Sequence, residues 1–339
     1  MNAAGTLACF APAPFRPVPA LDRARTGFVF LRTVRHVIPL ALAIVALTAF
    51  TACRGNERPQ QTHASAIEVT DDAGDIVRLA APARRVISLV PSATETIIAI
   101  GAVDRIVGRT RYDVSPEITT VPSVGGTVDP SIESVVALRP DLVIGWDTDK
   151  RREVRTKLAT LGIPVLSLRT QDTSDVFQGI SRLGRLLGRD SAASVLAASI
   201  RSQLDSVRLE VTGQPVRSVL FVVYPNPPMT AGPHTFIDEL IGLAGGRSVF
   251  SDLSQLWPTI SMEEIVRRRP ELLIVPQGKL EDDSLVRFRS RPGWRNIAAV
   301  RAGRVATVPA DLVQRPGANI GNAARALQAA IHPETRHRP

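Results

Sequence analysis

Ser131-Ile132-Glu133-Ser134-Val135-Val136-Ala137-Leu138-Arg139-Pro140-Asp141-Leu142-Val143-Ile144 has a counterpart 130 residues later. That counterpart is Ser261-Met262-Glu263-Glu264-Ile265-Val266-Arg267-Arg268-Arg269-Pro270-Glu271-Leu272-Leu273-Ile274. The stretches align without a gap, and Ser, Glu, Val, Arg, Pro, Leu and Ile recur at equivalent places. In each, a serine ahead of an acid-led apolar run signals a helix N-cap. The Arg-Pro pair ends the helix, because proline disfavours a helical residue before it. The apolar triplet that follows reads as a short buried strand. Two copies are too few for a solenoid; they suit two homologous α/β lobes.

Working outward, Asp71-Asp72-Ala73-Gly74 is a turn signal between two short alternating segments. Arg85 to Val90 reads as a buried strand ended by Pro91-Ser92, and Ala93 to Ile100 as a helix closed by Gly101. Strands at Val107, Leu142 to Ile144 and Val165 to Leu168 then alternate with helices at Ile132 to Leu138 and Val154 to Leu161. This alternation predicts an α/β lobe with a largely parallel sheet over residues 67–173. From 174 to 212 the apolar spacing turns helical, with Gly188-Arg189-Asp190 as a break. The second piece, about twenty residues, spans ~30 Å and serves as a strut. A second α/β lobe occupies 213–339.

The N-terminus reads differently. An apolar run from Val37 to Phe50, preceded by Arg32 and Arg35, is too short for a comfortable membrane span and forms an export signal over residues 1–52. It ends in Phe50-Thr51-Ala52-Cys53, where small residues precede a cysteine. This is what a lipoprotein signal peptidase accepts, which makes Cys53 the expected lipidated first residue, although Phe50 stands where leucine is usual. A plain signal peptide cut nearby is the alternative. Residues 1–33 make a long charged region, so a translation start downstream of Met1 is an option that would remove Cys9. Residues 53–66 are polar and read as a tether. Of 41 basic and 32 acidic residues, residues 1–52 hold five and one; the remainder carries a net charge of +5, spread along the chain. No basic stripe interleaved with aromatics is present, which excludes a nucleic-acid partner. With cysteines only at positions 9 and 53, the body has no disulfide framework.

Clefts between lobes are favoured small-molecule sites. Aromatics make up only 4% of the chain, so each loop aromatic carries information. Tyr112 follows the Val107 strand, Trp146 follows Leu142 to Ile144 directly, and Trp257 precedes the second repeat helix. Asp311 and Arg315 follow the Val305 to Val308 strand. Core packing accounts for a single aromatic; the clustering of these at loops facing one cleft favours Trp146 and Trp257 as ligand walls. His234 is a loop histidine, read as solvated, with metal ligation in the ligand as the other reading.

Several motifs resemble one family. Arg85-Val86-Ile87-Ser88-Leu89-Val90-Pro91-Ser92-Ala93-Thr94-Glu95, Val124-Gly125-Gly126, Ala137 to Ile144 and Thr235-Phe236-Ile237-Asp238-Glu239-Leu240 are similar to the substrate-binding proteins of ABC importers for vitamin B12, haem and iron-siderophores. The similarity runs from about Val86 to the C-terminal helix and is strongest towards the vitamin B12 binders. It implies two α/β lobes joined by one long helix, with limited hinge motion. It implies cobalamin or a related corrinoid as the ligand, a permease dimer with its ATPase as partner, and a lipid-anchored position in the periplasm or on the outer face of the cytoplasmic membrane. No enzymatic activity and no resident cofactor are expected. By position, the ligand-contacting aromatics correspond to Tyr112, Trp146 and Trp257. A further family tryptophan aligns with Thr127, so one stacking wall is absent and exclusive B12 specificity is open. Asp311 and Arg315 correspond to residues that hydrogen-bond corrin amides. The resemblance also implies that Glu133 and Glu263 dock onto permease arginines. An acid in a first helical turn is equally explained by the helix dipole, worth ~0.3–1 kcal/mol, and the two roles are compatible.

Two alternatives remain at this level. Haem or a ferric siderophore could replace the corrinoid, although siderophore sites often gather several arginines and only Arg315 is placed, with Arg109 and Arg111 as additions. A corrinoid-modifying enzyme is the other. No zinc-ligand spacing, phosphate loop or Ser-His-Asp arrangement supports catalysis.

Overall fold

The structure, a computed structural model, describes residues 66–147, 152–277 and 290–334. The chain separates into Met1–Thr62 and His63–Pro339, and every described residue belongs to the second unit. The export signal, Cys53 and nearly all of the tether therefore lie outside the described residues. No described helix is long and apolar enough to cross a membrane.

The described chain begins with an antiparallel pair, β1 (Ile67–Thr70) and β2 (Ile76–Leu79). Asp71 closes its turn by accepting from the N–H groups of Ala73 and Asp75 at 3.0 and 2.8 Å. Asp72 docks the hairpin onto the body, pairing with Arg182 at 2.6 Å. The first half then runs β3 (Val86–Ser88), α1 (Pro91–Ala99), β4 (Ile106–Gly108), α2 (Ile132–Ala137), β5 (Leu142–Trp146), α3 (Arg152–Thr160) and β6 (Val165–Leu168). Its strands are parallel in the order β4-β3-β5-β6.

Two helices follow, α4 (Thr173–Leu186) and α5 (Asp190–Glu210). Asp172 caps α4 by accepting from Asp175 N–H at 2.8 Å. Gly188, at φ 60°, makes the break that the sequence signals. The second half runs β7 (Arg217–Pro225), β8 (Pro228–Thr230), α6 (Phe236–Leu243), β9 (Gly246–Ser248), α7 (Met262–Arg268), β10 (Leu272–Gln277), α8 (Ala298–Arg301), β11 (Val305–Pro309), α9 (Ala310–Gln314) and α10 (Ile320–Ile331). Strands β9, β7, β10 and β11 are parallel neighbours in that order, and β8 adds an antiparallel strand to the far end of β7. The strand order of the first half thus recurs in the second.

The sequence repeat recurs down to single hydrogen bonds. Ser131 and Ser261 each accept from the N–H three residues on, both at 3.1 Å. Val135 and Ile265 are each 0% exposed. Arg139 and Arg269 both adopt the left-handed conformation, at φ 44° and 49°. The acid after the proline then caps the start of the neighbouring strand. Asp141 accepts from the N–H groups of Arg84 and Arg85 at 2.8 and 3.0 Å, and Glu271 from that of Ser218 at 2.6 Å.

Each parallel sheet is covered on both faces. One continuous core runs from Val86, Leu142 and Ile144 through Ile180, Leu183, Ile200 and Leu204 to Phe221, Leu240 and Ile274. Smaller cores back the outer faces, around Val135 and Leu158 in the first half and around Phe250, Ile265 and Trp294 in the second. The buried faces of α4 and α5 therefore belong to the core shared by both halves.

Candidate binding cleft

In sheets of this order ligands gather outside the carboxyl ends of the strands, where crossovers part to either side. Both halves present aromatic or apolar side chains there. Trp146 is the last residue of β5, and Tyr224 lies near the end of β7. A cavity of about 390 Å³ opens between the halves, within the ~300–1,000 Å³ usual for small-molecule sites. The first half supplies Trp146 and Thr170. Strand β7 supplies Phe221, Val223 and Tyr224, and the entry to α6 supplies Phe236 and Ile237. Met229, Trp257 and Pro276 continue the second-half wall, and the segment around Val313, Gln314 and Pro316 closes it.

Local structure fixes these walls. Thr235 caps α6 and donates its hydroxyl to Gly232 O at 2.8 Å, which sets Phe236 and Ile237 at the helix start. The Phe236 N–H donates to Gln171 O at 2.7 Å, and Glu239 accepts from Thr173 N–H at 2.9 Å, so the start of α6 is tied to the start of α4. Trp257 sits on a loop laced to β8 and the residues after it: Thr230 N–H to Pro258 O at 3.1 Å, Ile260 N–H to Pro228 O at 2.9 Å, and Gly232 N–H to Leu256 O at 2.8 Å. A side chain at Gly232 would collide with the Gln255 carbonyl, so this lacing requires glycine. The Trp257 ring stands 6.4 Å from that of Phe236, tilted by 60°, a favourable geometry for an aromatic pair.

None of the lining residues is charged. The polar groups on offer are the Thr170 hydroxyl, the Tyr224 phenol, the Gln314 amide and the Trp257 indole N–H, which suit a ligand of apolar faces edged by neutral hydrogen-bonding groups. Beside the cleft, burial pushes the Asp238 carboxyl above the usual carboxylate range. Behind Trp146 lies a second, small cavity of about 20 Å³, walled by Leu89, Thr127, Val143 and Leu158.

The sequence-derived candidates separate into three groups. Trp146 and Trp257 line the cleft from opposite halves; Trp146 is half-buried and Trp257 is 41% exposed. Thr127 lines only the small cavity behind Trp146. Tyr112, 49% exposed, lies outside the cavity lining, with the Arg111 guanidinium 6.0 Å from its ring. Asp311, in the first turn of α9, and Arg315 are also outside it. Arg315 pairs with Glu95 at 3.2 Å. His234 is exposed, at φ 60°. Glu133 and Glu263 are exposed in the first turns of α2 and α7, and among the described residues neither is ion-paired. Glu264 beside Glu263 is engaged by Arg267 and Arg268.

Phe236, Pro276 and Val313 were not singled out as cleft residues by sequence reasoning. Pro276 had a signal: it stands 130 residues after Trp146, so extending the repeat by two residues pairs them. A larger groove of about 940 Å³ runs along β11 and α10. It is walled by Ala326, Ala329, Ala330 and Pro333 and lacks aromatics, and its charges are already engaged: Arg217 with Glu334, Arg304 with Glu271 O. The aromatic cleft is the better ligand site.

The periplasmic binding protein family model matches residues 86–312. The chain belongs to this family. Its members bind solutes and are not enzymes, and this binding protein lies on the extracytoplasmic side of the membrane. It is 28% identical over 290 residues to an uncharacterized ABC transporter substrate-binding lipoprotein, YvrC, of Bacillus subtilis strain 168, covering 83% of this chain and 90% of that one. It is 26% identical over 237 residues to a vitamin B12-binding protein of Vibrio parahaemolyticus, covering 69% and 84%. Among solved structures it resembles the periplasmic heme-binding protein RhuT from Roseiflexus sp. RS-1 in its apo form, with a TM-score of 0.67, 25% identity, and 74% and 99% of the two chains covered.

Proposed function

We propose that this protein captures cobalamin or a related corrinoid in the cleft between its halves and hands it to a membrane permease. It is a substrate-binding protein of an ABC importer of the vitamin B12, haem and siderophore class. The observation that carries the corrinoid reading is the uncharged aromatic lining, with Trp146 facing Phe236 and Trp257 from opposite halves. A corrin offers broad apolar faces to such walls and an edge of neutral amides to Thr170, Tyr224 and Gln314. An anionic ferric siderophore would be held by arginine forks, and none lines this cavity. Haem is the second reading, because Tyr224 and Met229 both reach the lining and either can ligate iron.

The test is absorption spectroscopy of the purified protein titrated with cyanocobalamin, hemin and a ferric catecholate. Saturable binding of cyanocobalamin with unchanged ligand on release supports the corrinoid reading. A shifted Soret band with hemin, and no response to cyanocobalamin, replaces it with haem.

Delivery rests on Glu133 and Glu263, which are exposed, free of ion pairs among the described residues and equivalent in the two repeats. We assign both to contact with basic permease residues, one on each side of a dimer. Anchoring at Cys53 completes the proposal. Cys53→Ser is expected to release the protein from the membrane or leave it unprocessed; identical attachment and processing in the variant and the parent refutes the anchor.

A further inference from the structure

We propose that Glu95 is a positioning residue for the cleft: it clasps Arg315 and Asn319 of the second half, and through Arg315 fixes the loop that carries Tyr112. This rests on the cleft being the ligand site. Glu95 projects from α1 of the first half, with a side chain only 16% exposed. Its two oxygens accept separately, from Arg315 Nη1 at 3.2 Å and from Asn319 Nδ2 at 3.1 Å. The second arm of the Arg315 guanidinium donates to the Tyr112 carbonyl at 3.1 Å. One fork thus joins a carboxylate on α1, a carbonyl in the loop after β4, and the segment after α9 that closes the cleft.

The surroundings make this a built junction. A side chain at Gly317 would come within 2.8 Å of the Ser92 carbonyl oxygen, so the 315–319 segment lies directly on the first turn of α1. The Tyr112 loop is stiff within itself. Asp113 accepts from the Thr110 N–H at 2.7 Å and from its hydroxyl at 2.6 Å, and Arg109 donates to the carbonyls of Ile118 and Val121 at 3.1 and 3.0 Å. A loop stiff in itself moves as a body, and among the described residues the Arg315 guanidinium is its hydrogen bond to the other half, so that tether sets where Tyr112 stands against the second half. Burial pushes the Glu95 carboxyl up, and the bonds from Arg315 and Asn319 oppose this; the contact is therefore drawn from water, where a planar fork is most selective.

The fork also supplies the test. Lysine offers one nitrogen where arginine uses two, so its pair with Glu95 is expected to survive at the expense of the bond to the Tyr112 carbonyl. Amide hydrogen exchange is followed on the full processed chain, without ligand, for the parent, Glu95→Gln and Arg315→Lys. Glu95→Gln keeps the volume and is expected to speed exchange at least tenfold in both 110–114 and 315–320, with the remaining segments close to parental rates. Arg315→Lys is expected to speed it in 110–114 alone. Parent-like exchange in 110–114 in both variants overturns the proposal, as does loosening spread evenly over the molecule. A separate cyanocobalamin and hemin titration of the same variants reads the ligand. Failure of both probes on the parent counts against the ligand assignment, while the exchange result still decides the clasp.

Discussion

The two halves share a framework and part company at the cleft. Ser131 and Ser261, Val135 and Ile265, Arg139 and Arg269, Asp141 and Glu271 do the same work at the same places in each. Two residues beyond the repeated stretch, one copy has Trp146 and the other Pro276, and both line the cavity. The second half supplies most of the wall, and the first supplies one large indole. The strand–helix unit is thus retained wherever it packs on itself and is varied where it faces the ligand. A similar split separates the docking positions. Glu133 accepts from the hydroxyl of its own N-cap Ser131 at 3.2 Å and has no charged neighbour in its helix, whereas Glu263 adjoins Glu264, Arg267 and Arg268, which are bound to one another and to Asp252.

The largest effect that would sharpen this comparison is on uptake. Reversing Glu133 and Glu263 together to Lys is expected to abolish transport while ligand affinity stays near that of the parent, because a like-charge contact costs more than a lost attraction. Transport assays on the single variants then rank the two halves. Parental transport in the double variant, with a lowered melting temperature, would reduce both carboxylates to partners of their own helix dipoles.

Next in size are the cleft walls. Trp146→Ala and Trp257→Ala are each expected to weaken ligand binding by ~1–3 kcal/mol, the range for a buried aromatic anchor. Trp146 should sit at the upper end, since it is the more enclosed and is the main contribution of its half. Titration followed by tryptophan fluorescence reads both values. Equal, negligible losses with folding intact would break the claim that the halves face each other across the ligand.

The smallest effect probes the framework. Ser131→Ala and Ser261→Ala each remove an N-cap bond, expected to cost ~1 kcal/mol of stability, and Ser131→Ala also removes the bonds from the Ser134 hydroxyl and to Glu133, so its loss should be the larger. Denaturant melts of the two variants check this. A larger loss in Ser261→Ala would show that the shared cap bonds do unequal work.

Most of the architecture was legible because it depends on periodic apolar spacing and on caps. The repeat, the hairpin turn at Asp71, the break at Gly188 and the long helix α5 all leave local marks in the sequence. The cleft was legible in part. Trp146 and Trp257 stood out as aromatics beside strand ends, and both line the cavity. Phe236, Val313 and Gln314 left no such mark, since an apolar residue at a helix start reads as core until the opposite wall is known. Arg315 was read by resemblance as a ligand contact, and its bond to Glu95 spans 220 residues, a separation at which sequence spacing carries no information. The absence of charge from the cavity is a property of the assembled walls and of no single segment.

The core that runs unbroken from β3 through α5 to β10 also governs how the body melts. No plane separates the halves without exposing the leucines and isoleucines of the shared interior, so neither half can unfold while the other stays native. Heat should therefore carry the described residues of both halves over one barrier, in a single calorimetric transition. It follows that a molecule held only at the cleft mouth protects the whole body. At a hundredfold excess over its dissociation constant it adds ~2.7 kcal/mol to the stability of strands it never touches.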